Sequence, residues 1–311
     1  MNDAGDARAT ERESAGQALL AAILRGALRL TLRRTFRAGV PWERQRSRML
    51  KVTRVTLPPR GTRFEPGTCG GIPGEWVHAR SGAQPTLTIL YLHGGGYCLG
   101  SPATHRALTG HLAVRCNARV FAADYRLAPE HPFPAAVEDA VAAYRGLLAQ
   151  GISAHDLVIA GDSAGGGLSV AAAVRLRELG VPLPRALVLF SPWTDVSLAQ
   201  LPPPPPGEVM IAPPWITECA RAYVGAGDPH HPLASPVNAD LRGLPSTLVQ
   251  VGTDEILLGD SRRLHERLRA AGVAASREEY PRRWHVFQVN AGVLADADRA
   301  LASVAAFTQR A

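Results

Sequence analysis

The sequence is poor in the features that mark several protein classes. It has four cysteines in 311 residues (Cys69, Cys98, Cys116 and Cys219), none in a C-x-x-C pair and none beside histidines at zinc-ligand spacing. Neither a disulfide framework nor a metal site is expected. Lysine is almost absent: Lys51 is the only one, so 33 of the 34 basic residues are arginine. Against 27 acidic residues the net charge is +7, dispersed along the chain. That surplus makes no basic stripe or tail, so nucleic acid is not an expected partner. Apolar runs are short; the best candidate, Ala18 to Leu24, is cut by Arg25. None reaches the roughly 18–20 residues of a membrane span. The first sixteen residues mix Asp, Glu and Arg, a poor start for a signal peptide. The expectation is a soluble, cytoplasmic protein without stable membrane insertion.

What is present is ordinary globular material, 46% hydrophobic and 20% charged. The length suits one large α/β domain with a small appendage. Residues 17–37 place Leu20, Ile23, Leu24, Ala27, Leu28, Leu32 and Phe36 on one helical face and Arg25, Arg29, Arg33 and Arg37 on another. Such a helix lies on a membrane surface or packs on the protein's own body. The second is expected, because Asp3, Asp6, Glu11 and Glu13 precede it and anionic lipid would repel them.

From residue 51 strand-like runs alternate with helical patterns. The runs are Val52–Leu57, Trp76–Ala79, Thr86–Leu92, Arg119–Ala123, Leu157–Ala160, Ala186–Phe190, Thr247–Val251 and Ser276–Tyr280. Alternation of this kind means crossover connections and a mostly parallel sheet, covered on both faces where strands are apolar throughout. The pattern fails between about Val196 and Asp240, where five prolines, Pro202 to Pro206, precede a helix-like stretch from Trp215 to Tyr223. This reads as an insertion with a stiff lead-in.

Chemistry concentrates at four places. Gly161-Asp162-Ser163-Ala164-Gly165 follows an apolar strand and opens a Gly- and Ala-rich helix. A serine on such a strand-to-helix turn projects its hydroxyl above the sheet edge, and only small neighbours leave room for the turn. His93-Gly94-Gly95-Gly96 follows another strand, seventy residues earlier. Its glycines let backbone N–H groups approach a substrate, as acyl transfer requires where charge develops on a carbonyl oxygen. The third place is the acidic turn after Val251, with Asp254, Glu255 and Asp260 competing to orient a base. Asp254 is expected to win because it comes first after the strand. The fourth is Arg283-Trp284-His285-Val286-Phe287, which sets a histidine between the last strand and the last helix. The order Ser, acid, His is the one this architecture imposes.

Together with Asp124-Tyr125-Arg126-Leu127-Ala128-Pro129-Glu130, Ser191-Pro192-Trp193-Thr194-Asp195 and Ala234-Ser235-Pro236, these segments resemble the hormone-sensitive-lipase family of α/β-hydrolases. The resemblance runs from about residue 75 to the C-terminus. It implies an α/β-hydrolase fold: a mostly parallel eight-stranded sheet, helices on both faces and a helical cap. Residues 1–50 would supply the N-terminal cap helices and 51–311 the catalytic domain, with a cap insertion at about 197–232. Carried over by position, it makes Ser163 the nucleophile, His285 the general base and Asp254 its partner. Gly95, Gly96 and the Ala164 amide become oxyanion donors, with Gly94 shaping the loop. Tyr97, Asp162 and Trp215 are candidate pocket residues, although Tyr97 suits an ordinary core position equally well. His93 would brace the glycine loop, and Arg126 and Glu130 would lock the proline turn below the site.

The implied activity is hydrolysis of short-chain carboxylic esters through an acyl-enzyme, with no metal or cofactor. The expected partners are a small ester and, at most, a second copy of the chain as a homodimer. A lactone hydrolase or an N-acetyl amide deacetylase would share the triad. A ligand-binding receptor on the same fold would lack a working histidine, whereas His285 is present.

Overall fold

A computed structural model describes residues 14–79 and 84–311. Asp3, Asp6, Glu11 and Glu13 lie outside them. Eight strands form one sheet in the order β1-β2-β4-β3-β5-β6-β7-β8. They are β1 (Thr62–Cys69), β2 (Ile72–Ala79), β3 (Leu87–Leu92), β4 (Ala118–Ala123), β5 (Leu157–Asp162), β6 (Ala186–Phe190), β7 (Ser246–Gly252) and β8 (Ala275–Tyr280). β2 pairs antiparallel with both β1 and β4, and every other pairing is parallel. All residues of β3, β5 and β6 are buried, as continuous apolar runs require of strands covered on both faces.

Seven of the eight expected strand runs lie in this sheet. Val52–Leu57 does not: the helix Trp42–Thr53 runs into it, and the remainder is unpaired. The first strand is instead β1, where Pro66 and Gly67 weaken the local β signal. Proline is tolerated there because β1 is an edge strand that needs donors on one side only.

The helices are α1 (Ala15–Thr35), α2 (Trp42–Thr53), α3 (Arg106–Arg115), α4 (Ala135–Ala149), α5 (Ala164–Glu178), α6 (Pro213–Val224), α7 (Leu258–Ala270) and α8 (Ala295–Arg310). α3 packs beside α8 and α4 beside α5, while α1 and α2 pack on each other. By length and composition alone α1 is apolar enough to cross a membrane. Arg25 interrupts its uniform apolar run, but the helix as a whole is apolar. The apolar face divides in two. Leu24, Leu28 and Leu32 are half-buried and Phe36 is buried, but Ile23 is 60% exposed.

Candidate active site

The site lies at the C-terminal ends of the parallel strands, where crossovers leave a crevice. Ser163 joins β5 to α5 with φ 52° and ψ −120°. A non-glycine residue rarely adopts a positive φ, and here that φ turns the chain sharply from strand to helix. A Cβ on Gly165 would fall 1.9 Å from the Leu92 carbonyl oxygen, so the second glycine of the motif is a packing requirement. Ala164 is the first helical residue, and its N–H has no intrahelical acceptor.

The loop after β3 meets this turn. Gly95 and Gly96 have φ of 126° and 63°, and a Cβ on Gly95 would lie 2.3 Å from the Leu99 carbonyl oxygen. The Gly94 N–H donates to Asp162 Oδ1 at 3.0 Å. Those of Gly95 and Gly96 have no acceptor among the described residues. Gly94 therefore anchors the loop, and its two successors are left to face a ligand with Ala164.

Asp162 is the hub beneath. Its Oδ1 also accepts from the Tyr91 hydroxyl at 2.6 Å and lies 3.4 Å from His105 Nε2. Burial opposes charge on both Asp162 and His105, yet their attraction lowers the carboxyl and raises the imidazole. His93 donates through Nδ1 to the Gly94 carbonyl at 3.0 Å and stacks on Tyr125 with ring centroids 4.3 Å apart. Burial, aided by repulsion from His105, holds its imidazole at about 3. A neutral His93 thus braces the glycine loop.

His285 stands after β8, and its Nδ1 donates to Glu255 Oε1 at 3.0 Å. The expected partner, Asp254, is not there. Its carboxylate turns outward and accepts from Arg25 Nη1 of α1 at 2.7 Å. The chain needs one more residue past the strand to come round beneath the imidazole, and Glu255 is fully buried where Asp254 is a quarter exposed. The other Glu255 oxygen accepts from the Ser191 hydroxyl at 2.7 Å and from the Gly252 N–H at 3.0 Å. Asp260 is also remote from the imidazole. Oδ2 accepts the Thr194 and Asp195 N–H groups, while Oδ1 meets Arg263. Burial raises the Asp260 carboxyl to about 6. Burial works against a charged His285 as well, but Glu255 outweighs it and lifts the imidazole above its ordinary value.

Ser163, His285 and Gly94 to Gly96 line one cavity of about 780 Å³, roofed by Leu24, Leu28 and Leu32 of α1. No hydrogen bond joins Ser163 to His285 among the described residues; such contacts are often loose without ligand. Trp215 lines the cavity, with Phe36 stacked on it at 4.7 Å and Gln45 accepting its Nε1–H at 2.9 Å. Asp162 reaches the cavity floor. Tyr97 does not line the cavity. It is buried against Tyr223, ring centroids 3.6 Å apart, which makes it an ordinary core residue. Nor do Arg126 and Glu130 close their turn on each other. Arg126 pairs with Asp139 of α4, and Glu130 with Arg46 of α2, which holds its carboxyl down to about 2.

Sequence reasoning missed Ser191 and Glu208. Ser191 donates to Glu255 and accepts the Val286 N–H at 3.2 Å, tying acid and histidine loops together. Its signal was the Ser-Pro-Trp segment at the end of β6. Buried Glu208 accepts the Ile256 N–H at 2.9 Å and those of Met210 and Ile211, fastening the proline-rich insertion to the acidic turn. No motif marked it. Among the described residues no cluster of three His, Cys, Asp or Glu side chains is placed to hold a metal ion.

Comparison with known proteins identifies the family. Residues 89–289 match the model of a family described as having the alpha/beta hydrolase fold. The chain is 45% identical over 246 residues to the acetyl-hydrolase of Streptomyces hygroscopicus, covering 78% of this chain and 82% of that protein. A crystal structure of an esterase from the bacterial hormone-sensitive lipase family superposes with a TM-score of 0.86 at 38% identity, covering 96% of this chain and 99% of the other. The structure of EstE5 soaked by p-nitrophenyl butyrate gives 0.85 at 38% identity, covering 94% and 98%. On this family match and these similarities, the chain belongs to the hormone-sensitive-lipase family of α/β-hydrolases and is a carboxylesterase-like hydrolase.

Proposed function

We propose that this enzyme hydrolyses carboxylic esters of short acyl chains by a Ser163–His285–Glu255 relay through an acyl-enzyme. His285, its Nδ1–H held by Glu255, takes the Ser163 proton as the hydroxyl attacks the carbonyl carbon. The N–H groups of Gly95, Gly96 and Ala164 receive the oxyanion. His285 then gives its proton to the departing alkoxide, leaving an acyl ester on Ser163. Water, deprotonated by the same imidazole, attacks that ester, and the second collapse frees acid and serine.

The observation that carries the reading is the carboxylate-held imidazole in the same cavity as a serine of strained backbone. Short acyl groups are supported by the acetyl-hydrolase relative and by the neighbour soaked with a butyrate ester. An apolar cavity of about 780 Å³ exceeds what such an acyl group fills, so the alcohol side takes the remainder. We further propose that the protein acts as a soluble, cytoplasmic enzyme, with α1, α2 and the 197–232 segment as its cap.

The test is stoichiometric labelling by an alkyl phosphonate, with Ser163→Ala and a panel of esters, a lactone and an N-acetyl amide. One adduct at Ser163, no turnover by the variant and esters cleaved fastest are the expected results. An adduct on a different serine overturns the assignment.

A further inference from the structure

We infer that Arg25 is a specificity-determining clamp: with Asp254 as its partner it fixes α1 over the cavity and thereby sets selectivity for acyl length. The inference builds on the esterase reading above. The Arg25 guanidinium reaches three separate segments. Nη1 donates to Asp254 Oδ2 at 2.7 Å and to the Gly207 carbonyl at 3.3 Å, and Nη2 to the Arg282 carbonyl at 2.6 Å. It also lies over the Trp284 ring, 5.7 Å from the centroid. One side chain of the first helix thus joins the acidic turn, the histidine loop and the proline-rich insertion. A planar fork of fixed donors suits several acceptors at once, which a lysine ammonium on a flexible stem does not.

Little of α1 is buried. Only Ala21 and Thr35 are buried within it. Its C-terminal end is fastened nearby by Phe36 on Trp215 and by the Gly39 N–H on Glu218 at 2.8 Å. Farther back, Arg29 donates to the Pro206 carbonyl at 2.8 Å, Arg33 to the Glu208 carbonyl at 3.4 Å, and Gln17 accepts the Ala295 N–H at 2.9 Å. Arg25 is the member of this ladder that reaches the acidic turn and the histidine loop. Leu24 and Leu28 beside it line the cavity. Apolar contact grows with substrate length, so loosening α1 weakens binding of long acyl groups more than of acetyl. Asp254, turned away from His285, serves the clamp and not the proton relay.

The test uses the full chain with Arg25→Met, Arg25→Lys and Asp254→Asn on p-nitrophenyl acetate, butyrate and hexanoate. Both Arg25→Met and Asp254→Asn should raise KM for hexanoate about fivefold more than for acetate, an effect in the range of one partly exposed ion pair. Arg25→Lys should recover part of the loss. The acid limb of the pH profile should stay in place, and amide exchange across residues 15–35 should quicken in both. Unchanged length ratios and unchanged exchange would overturn the clamp. So would a kcat collapse of Asp254→Asn that is equal for all three esters. Should the wild-type chain cleave none of the esters, the esterase reading fails, and the exchange data still judge the clamp.

Discussion

Glu255 and Asp254 are consecutive residues with opposite partners: Glu255 accepts the Nδ1–H of His285 inside the protein, and Asp254 accepts from Arg25 at its edge. Glutamine at 255 keeps the shape but supplies no charge for an imidazolium. Glu255→Gln should therefore lower kcat on p-nitrophenyl acetate by roughly 10⁴-fold, as replacing a triad carboxylate by its amide does. Asp254→Asn should stay within about tenfold of wild type. Steady-state kinetics of the two variants decides between the neighbours, and the reverse ranking would restore Asp254 to the relay.

The same contact fixes the pH dependence. His285 must be neutral to accept the serine proton, and Glu255 lifts its imidazole above 6.5 despite burial. A kcat/KM profile should accordingly rise through a midpoint above 6.5, and Glu255→Gln should move that midpoint down. For stability the sign is opposite. A group whose proton is held more tightly in the folded state stabilises fully below its unfolded value and loses that contribution as pH rises through the folded one. Melting temperatures of wild type and Glu255→Gln should thus differ more at pH 6 than at pH 9. An equal difference at both would show that the imidazole is not raised.

Ser191 holds both the carboxylate and the Val286 amide. Ser191→Ala removes a hydrogen bond to a charged group, the kind whose loss costs about 1.5–3 kcal/mol. The variant should show kcat reduced about tenfold or more with KM little altered. A rise in KM at constant kcat would place Ser191 in substrate binding instead.

Under the proposed function, the roof of the cavity sets acyl preference. Leu24, Leu28 and Leu32 close the cavity from α1, and Trp215 with Phe36 walls one side. We expect p-nitrophenyl butyrate to be cleaved with a higher kcat/KM than p-nitrophenyl laurate in a detergent-free assay. The opposite order would mean that the cavity accepts long chains end-on.

Much of this site was legible because each part is local. Gly161 to Gly165 carries its own turn, His93 to Gly96 its own loop, and both follow strands whose apolar runs announce a covered parallel sheet. The acid was not legible by the same means. Choosing between Asp254 and Glu255 depends on where a turn points after β7, and Asp254 is drawn outward by Arg25, 229 positions away. Tyr97 failed as a pocket residue for a similar reason, since its ring is claimed by Tyr223 of α6. Helical period alone put Arg25, Arg29, Arg33 and Arg37 on one face of α1 without saying what they meet. Arg25, Arg29 and Arg33 donate to carbonyls of the proline-rich segment, and no sequence pattern marks a carbonyl that is free to accept.

The most direct measurement is acid quenching during turnover of p-nitrophenyl butyrate, followed by peptide mass mapping. The account predicts a butyryl group on the peptide holding Ser163, enriched in Glu255→Gln if deacylation slows, and absent in Ser163→Ala together with all hydrolysis. A butyryl group on another residue, or hydrolysis by Ser163→Ala, would contradict it.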